Sequence, residues 1–305
     1  MGKILCIGQS AYDITIPLSE PIVENQKYRI EQKLECGGGP AFNASCLCGM
    51  WGAGVCLISR IGTDDYGGKL RKIAEENRVD LSFLIPDDEI ETPHSYIFSN
   101  GANGSRTLFN FPGRKKETEY ELPEAEVDVI LSDGHEPDIS LDAIRKYPQA
   151  VSLVDAGTCR NATLRVAKEV DYLVCSEDFA RQYTGKTIDL DAWESCERIF
   201  REIEEINGKY AVVTLGEKGL LYRDGGDIKR LPAYPAEAVD TTGAGDIFHG
   251  VFAYGLWEKM SILDILRLSS MASSLSVRRQ GSQTSIPALE NVTKALSDVN
   301  DSRKR

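Results

Sequence analysis

Apolar positions along this chain follow two rhythms. In the first third, short apolar runs mix with alternating ones. Lys3–Gly8 is a continuous apolar run closing on glycine, the pattern of a buried strand. Tyr12–Ile16 and Tyr28–Leu34 alternate apolar with polar, as half-buried strands do, and a polar loop with Pro17 and Pro21 parts them. Cys36-Gly37-Gly38-Gly39-Pro40 reads as a turn and Ala41–Trp51 as a helix with small residues on one face. Val55–Ile61 reads as a strand and Asp64–Asn77 as an amphipathic helix. His94–Asn100 and Thr107–Phe111 flank Gly101-Ala102-Asn103-Gly104, which is hairpin chemistry. With the two early alternating segments they predict a small β-sheet built from two insertions.

From Val127 onward, strands and helices take turns. Val127–Leu131, Val151–Val154, Tyr172–Val174 and Ala211–Thr214 are short apolar runs with helical segments between them. That regular alternation predicts a parallel sheet covered on both faces. The last third is helical, over Asp246–Glu258, Ile262–Arg279 and Leu289–Leu296, with Asp301–Arg305 frayed. No repeats or low-complexity tracts interrupt the pattern.

Composition narrows the class. With 305 residues, of which 42% are hydrophobic, the chain can bury the core of one large α/β domain or about two average ones. The net charge of −12 argues against non-specific nucleic-acid or anionic-membrane partners, which need excess Lys and Arg. Phosphate ligands stay open, because the field at a pocket can differ from the global sign. Eight scattered cysteines without a C-x-x-C pair predict buried free thiols in a reducing cytosol rather than a disulfide framework. The N-terminus runs almost at once into a strand without signal-peptide character, and Cys6 stands where myristoylation after Gly2 would want Ser or Thr. No run of about eighteen apolar residues predicts a membrane span. A cytoplasmic protein is expected.

The stretch with most chemical content is Asp240-Thr241-Thr242-Gly243-Ala244-Gly245-Asp246, leading into a helical pattern. Small residues at a helix start leave several backbone N–H groups uncovered and pointing one way. With the helix dipole they form an anion site. Asp246, in the first turn, is a poor phosphate ligand but a good base for an incoming hydroxyl. The stretch therefore reads as phosphoryl transfer to a small hydroxylated molecule. The plain alternative is a dipole-favoured first-turn Asp after a loop that needs permissive dihedrals. No Walker loop, no G-x-G-x-x-G after a strand, no metalloprotease helix and no serine nucleophile elbow occurs. The scattered His94, His135 and His249 read as structural.

Asp240–Asp246, taken with Gly38, Gly39 and Asn43, resembles the two signatures of the PfkB/ribokinase family of small-molecule kinases. The D-T-x-G-A-G-D signature and the earlier G-G-x-x-x-N turn stand roughly two hundred residues apart, in the family's order. The resemblance implies a ribokinase-like α/β fold: a mainly parallel central sheet flanked by helices, with a small β-sheet lid. Residues 1–12, 37–91 and 113–305 would form the core, and 13–36 and 92–112 the lid. It further implies ATP and magnesium, a sugar or sugar derivative as acceptor, and a homodimer through the lid, whose alternating strands would otherwise be exposed edges.

Residue roles follow from the same resemblance. Asp246 would be the catalytic base, with the amides of Gly243, Ala244 and Gly245 as anion hole. Asp13, Gly38, Gly39 and Asn43 would bind the substrate, a carboxylate such as Asp13 suiting a vicinal diol. Arg106 would reach substrate or phosphate, or else is a solvated hairpin residue. Thr214, Gly216 and Gly219 match the family's G-x-x-G nucleotide loop, and Ser269 would lie near the adenine. Asp240 and Thr242, with Ser276, Arg279, Gly281 and Ser285, resemble a potassium loop. The family's N-x-x-E magnesium motif is absent: the segment is Cys175-Ser176-Glu177-Asp178, where Glu177 or Asp178 would substitute unless the metal rests mainly on the phosphates. Thr92, Pro93, Ser95, Gly104, Arg106 and Thr107 resemble the hairpin of ketohexokinases, which favours a ketose or related sugar. The rivals are a nucleoside kinase of the same family, with a base on Phe98 or Phe109, and a non-catalytic binding protein.

Overall fold

The computed structural model describes residues 2–100, 106–113 and 119–302. Its strands in chain order are β1 (Lys3–Ile7), β2 (Ala11–Leu18), β3 (Leu34–Gly38), β4 (Val55–Ile58), β5 (Arg60–Gly62), β6 (Ile85–Asp87), β7 (His94–Asn100), β8 (Arg106–Phe111), β9 (Val127–Ser132), β10 (Val151–Ala156), β11 (Tyr172–Ser176), β12 (Tyr210–Thr214), β13 (Leu220–Asp224) and β14 (Asp227–Leu231). The helices are α1 (Pro40–Met50), α2 (Asp65–Glu76), α3 (Pro137–Lys146), α4 (Asn161–Ala167), α5 (Glu177–Thr184), α6 (Trp193–Glu204), α7 (Ala244–Trp257), α8 (Ile262–Ser276) and α9 (Leu289–Ser302).

Eight strands form the main sheet in the order β14-β13-β12-β11-β10-β9-β1-β4. Those from β12 to β4 pair in parallel; β13 and β14 close one edge as an antiparallel hairpin. Parallel pairing needs a crossover after each strand, and the helices between them cover the faces. One face packs on α1, α7 and α8, with Phe42, Leu47, Ile247 and Phe252 buried. The other packs on α4, α5 and α6 through Val166, Phe179, Ile199 and Phe200. α1 and α7 touch nearly backbone to backbone: a Cβ on Gly250 would lie 3.0 Å from the Cα of Ala44. That close approach explains the small residues of α1, and it fixes the start of α7 against Asn43.

The second sheet has four strands, β3-β2-β7-β8, drawn from the two predicted insertions. Its composition differs from expectation in one respect. Residues 28–33 form no strand despite their alternation, whereas the predicted glycine turn is itself strand β3. β3 pairs antiparallel with β2, Gly38 opposite Ala11 and Leu34 opposite Thr15. Its glycines are there for space: a Cβ on Gly37 would fall 2.2 Å from the Phe42 ring, and one on Gly38 2.2 Å from Asp13 Oδ2. Alternation at 28–33 finds no partner strand, so nothing recruits it into a ladder.

Val55–Ile61 divides at Ser59. β4 stays in the main sheet, and β5 pairs with β6 in a separate two-stranded sheet. α8 ends at Ser276, three residues before the expected Arg279, because the Val277 carbonyl turns to accept from the amides of Val239 and Asp240. α9 runs on through Ser302, past the expected Leu296, so 301–302 are helical; 303–305 fall outside the described residues. The hairpin tip at 101–104 falls outside them too, while its arms pair antiparallel. All eight cysteines are free and seven are buried. Among the described residues no helix is long and apolar enough to cross a membrane.

Candidate active site

In an open α/β sheet the strand ends facing the C-terminal side converge on a crevice, and the polar residues here gather at that edge. β1 ends at Ile7 before Gly8, β9 leads into Asp133, β10 carries Asp155 and β12 ends at Thr214. α7 begins opposite them. Gly243 is its N-cap with φ 76°, a left-handed conformation that an L side chain adopts only at a cost of roughly 1–2 kcal/mol. A Cβ there would also lie 2.7 Å from Ser282 Cβ. Gly245 is exposed, with no atom within 4 Å of where a Cβ would stand. The first amides of α7 therefore lack intrahelical acceptors and sit at an uncovered helix end.

Asp246 is half-buried in that first turn, and Asn43 Nδ2 donates to its Oδ2 at 2.6 Å. Burial, then the nearby charge of Asp155, push its carboxyl up to about 7; the Asn43 bond and His249 oppose them, and Asp13 adds to the rise. Asn43 is fully buried on α1, and its Oδ1 has no partner among the described residues. Asp13 is buried on β2 against Gly38 and accepts from Ser282 Oγ at 3.2 Å. Burial raises its carboxyl to about 6, against the hydrogen bonds from Ser282 and Ser95 and with a push from Asp240. Gly39 (φ 91°) caps α1, and its carbonyl accepts from the Asn43 amide at 2.9 Å. Asp13, Gly38, Gly39, Asn43 and Asp246 thus form one continuous chain of contacts.

Asp240 organises the approach to the helix. Its Oδ1 accepts from the Thr242 amide at 2.9 Å and hydroxyl at 2.6 Å, and its Oδ2 from the Gly281 amide at 2.9 Å. The Ser276 carbonyl accepts from the Arg279 amide, and Ser285 Oγ donates to the Ser282 carbonyl at 2.8 Å. The 276–285 loop is therefore tied to both Asp240 and Asp13.

On the nucleotide side, Thr214 Oγ1 donates to the Cys175 carbonyl and the Leu215 amide to the Gly219 carbonyl at 2.7 Å. Gly216 faces open space at φ 59°, whereas a Cβ on Gly219 would strike the Leu231 carbonyl at 2.1 Å. Gly219 thus has a packing reason of its own. Ser269 is fully buried in α8, its hydroxyl without a partner among the described residues. Glu177 pairs with Lys218 at 3.2 Å, and among the described residues no three His, Cys, Asp or Glu group together as a metal cage. Arg106 begins β8, but its side chain lies outside the described residues.

Two residues absent from the sequence-based candidates stand directly behind Asp246. His249 and Asp155 are buried and paired, Nδ1 to Oδ2, at 3.0 Å. The signals available were weak: a histidine one helical turn after the acid, and an Asp closing a strand at the functional edge of the sheet. A surface recess of about 820 Å³, lined by Ser82–Pro86 and Glu119–Glu121, holds none of these groups. Convergent, perturbed charges mark a site better than volume does.

Comparison with known proteins agrees with this fold. The pfkB family carbohydrate kinase description matches residues 1–289. The ribokinase of Lactococcus lactis subsp. lactis is 26% identical, over 98% of this chain and 98% of that protein. A nucleoside kinase of Methanothermobacter thermautotrophicus is 25% identical, over 93% of this chain and 92% of its own length. The crystal structure of a ribokinase from Thermotoga maritima superposes with a TM-score of 0.83 at 25% identity, covering 97% of this chain and all of that one.

Proposed function

This chain belongs to the pfkB family of carbohydrate kinases, and on that premise we propose that it transfers the γ-phosphoryl group of ATP to a hydroxyl of a sugar or sugar derivative. The observation that carries the reading is the Asn43–Asp246 contact at an uncovered helix start. Asn43 holds the Asp246 carboxylate, which takes the proton from the attacking hydroxyl as the bond to phosphorus forms. A base works best with a pKa near the working pH, and about 7 meets that condition. The amides of Gly243, Ala244 and Gly245 receive the charge that builds on the transferring group. Asp13, backed by Gly38 and Gly39, accepts from the hydroxyls of the acceptor.

Magnesium supplies charge neutralisation on the nucleotide phosphates when bound. Glu177 would be the residue to replace the missing motif, unless the metal rests mainly on the phosphates. Thr214 and Gly216 flank the nucleotide; Gly219 shapes that turn, and Ser269 lies on the adenine side. A potassium ion in the loop of Asp240, Thr242, Ser276, Arg279, Gly281 and Ser285 would brace the helix start. The small sheet, with residues 13–36 and 92–112, is the lid. Leu108, Phe109 and Phe111 on its edge strand are about half exposed, which supports a homodimer through that edge.

The nucleoside reading draws on the nucleoside kinase of Methanothermobacter thermautotrophicus. Against it, Phe98 and Phe109 already pack edge to face on each other at 5.6 Å, which leaves less ring surface for a base. An ATP-consumption assay over a panel of ketoses, aldoses, sugar acids and nucleosides decides between them. Turnover with a sugar is expected. Turnover with nucleosides alone would replace this reading, and ATP and sugar binding without turnover would make the protein a binding module.

A further inference from the structure

His249 lies on α7 one turn after Asp246, and the geometry around its ring fixes its charge. Nδ1 is 2.6 Å from the Gly245 carbonyl oxygen and Nε2 is 3.1 Å from the Val174 carbonyl oxygen. Carbonyls only accept. Either neutral tautomer would aim a ring lone pair at one of them, so both nitrogens carry hydrogens and the ring is an imidazolium. A buried cation needs a counter-charge. Asp155 supplies it at 3.0 Å, and the His249 and Asp155 side chains are 5% and 7% exposed.

The pair has a position as well as a charge. Gly245 contributes the peptide immediately before Asp246, Asp155 is the penultimate residue of β10, and Val174 belongs to the neighbouring strand β11. The imidazolium therefore clamps the first turn of α7 to two strands of the sheet. We propose that Asp155 and His249 act as a fixed ion pair that positions Asp246 and sets the pH at which it accepts a proton. This inference rests on the reading of Asp246 as the base. Both members are positioning residues, because they act through Asp246.

The signs follow from the charges that face each group. Around Asp246 stand Asp155 from β10, Asp13 from β2, His249 from α7 and the neutral Asn43 from α1. Burial opposes the charged imidazole, but Asp155 and the two carbonyls outweigh it and hold His249 up at about 9. Removing the cation with His249→Gln leaves Asp155 uncompensated, so Asp246 holds its proton to higher pH. Removing the anion with Asp155→Asn does the reverse to Asp246 and also strips His249 of its counter-charge.

The test measures single-turnover phosphoryl transfer from pH 5 to 9 in the wild type, D155N and H249Q. Ring-nitrogen NMR of the three histidines, assigned with H249Q, follows alongside. His249 should stay doubly protonated past pH 8 in the wild type, and its titration should fall by at least about one pH unit in D155N. The acid limb of the rate should move to lower pH in D155N and to higher pH in H249Q, each by at least about half a unit. A merely structural pair would shift both limbs alike or neither. A neutral His249 at pH 7 in the wild type, or limbs that stay put or move in the same direction, would overturn the proposal. If H249Q does not fold, D155N decides by the direction of its limb and by the His249 titration. The ring titration needs no turnover, so it still reports on the pair if no acceptor is found. Persisting turnover in Asp246→Asn would instead remove the base while leaving that titration to be read.

Discussion

Asp80 lies beside the starting ends of β1 and β4, and Asp246 beyond the far ends of the same sheet. Lys3 Nζ donates to Asp80 at 2.5 Å, and the Ser82 amide and hydroxyl donate to its other oxygen. Partial burial there is outweighed by those donors, and the Asp80 carboxyl drops to about 2. At the far edge Asp246 has Asn43 as donor, two further carboxylates in its field and a cation already committed to one of them, and it rises to about 7. The same side chain is thus satisfied at one edge and left under tension at the other. The difference teaches where to look for chemistry: acids with full complements of donors hold structure together, and acids denied them are available for protons.

Substitutions at the two edges should therefore behave differently. The largest effect among them is expected for Gly243→Ala. It forces a Cβ into a left-handed position and against Ser282, displacing the amides of the helix start. A fall in kcat of about 10²-fold or more is expected, with stability lower by about 1–3 kcal/mol; a stopped-time kinase assay and a denaturant titration check both. Next comes Asn43→Ala, which removes the 2.6 Å bond to Asp246. Hydrogen bonds to charged groups are worth about 1.5–3 kcal/mol, so kcat should drop about ten- to a hundredfold. Because that bond favours the charged carboxylate, the acid limb should also move to higher pH. Smallest is Asp80→Asn. With a lowered folded-state pKa, this carboxylate contributes stability above the ordinary Asp range and loses it as the pH falls toward 2. Its partners are partly exposed, so the loss at pH 7 should stay below about 1 kcal/mol, with kcat unchanged. A large kinetic effect at Asp80, or none at Asn43, would dissolve the contrast between the edges.

The sequence carried what is encoded locally. The run of small residues before Asp246 pointed to a bare helix start, and the parallel sheet was readable from the alternation after Val127. What escaped depended on partners far away in the chain. The glycines of 37–38 looked like a turn, because the linear pattern does not show that the Phe42 ring folds back over Gly37 or that the distant Asp13 carboxylate fills the space at Gly38. Residues 28–33 alternate without a strand to pair with. Asp155 and His249 are 94 positions apart in the numbering and meet only once β10 and α7 are packed together. Gly219 shows the opposite limit: it fits a nucleotide signature and also answers to the Leu231 carbonyl.

Asp246 receives the proton while the helix-start amides hold the anion. Rapid-quench measurement of phosphoryl transfer by Asp246→Asn, with nucleotide binding followed by calorimetry on the same sample, addresses it most directly. A loss of at least about 10²-fold in rate with nucleotide affinity retained is the predicted result. Transfer within a few-fold of the wild type would contradict it.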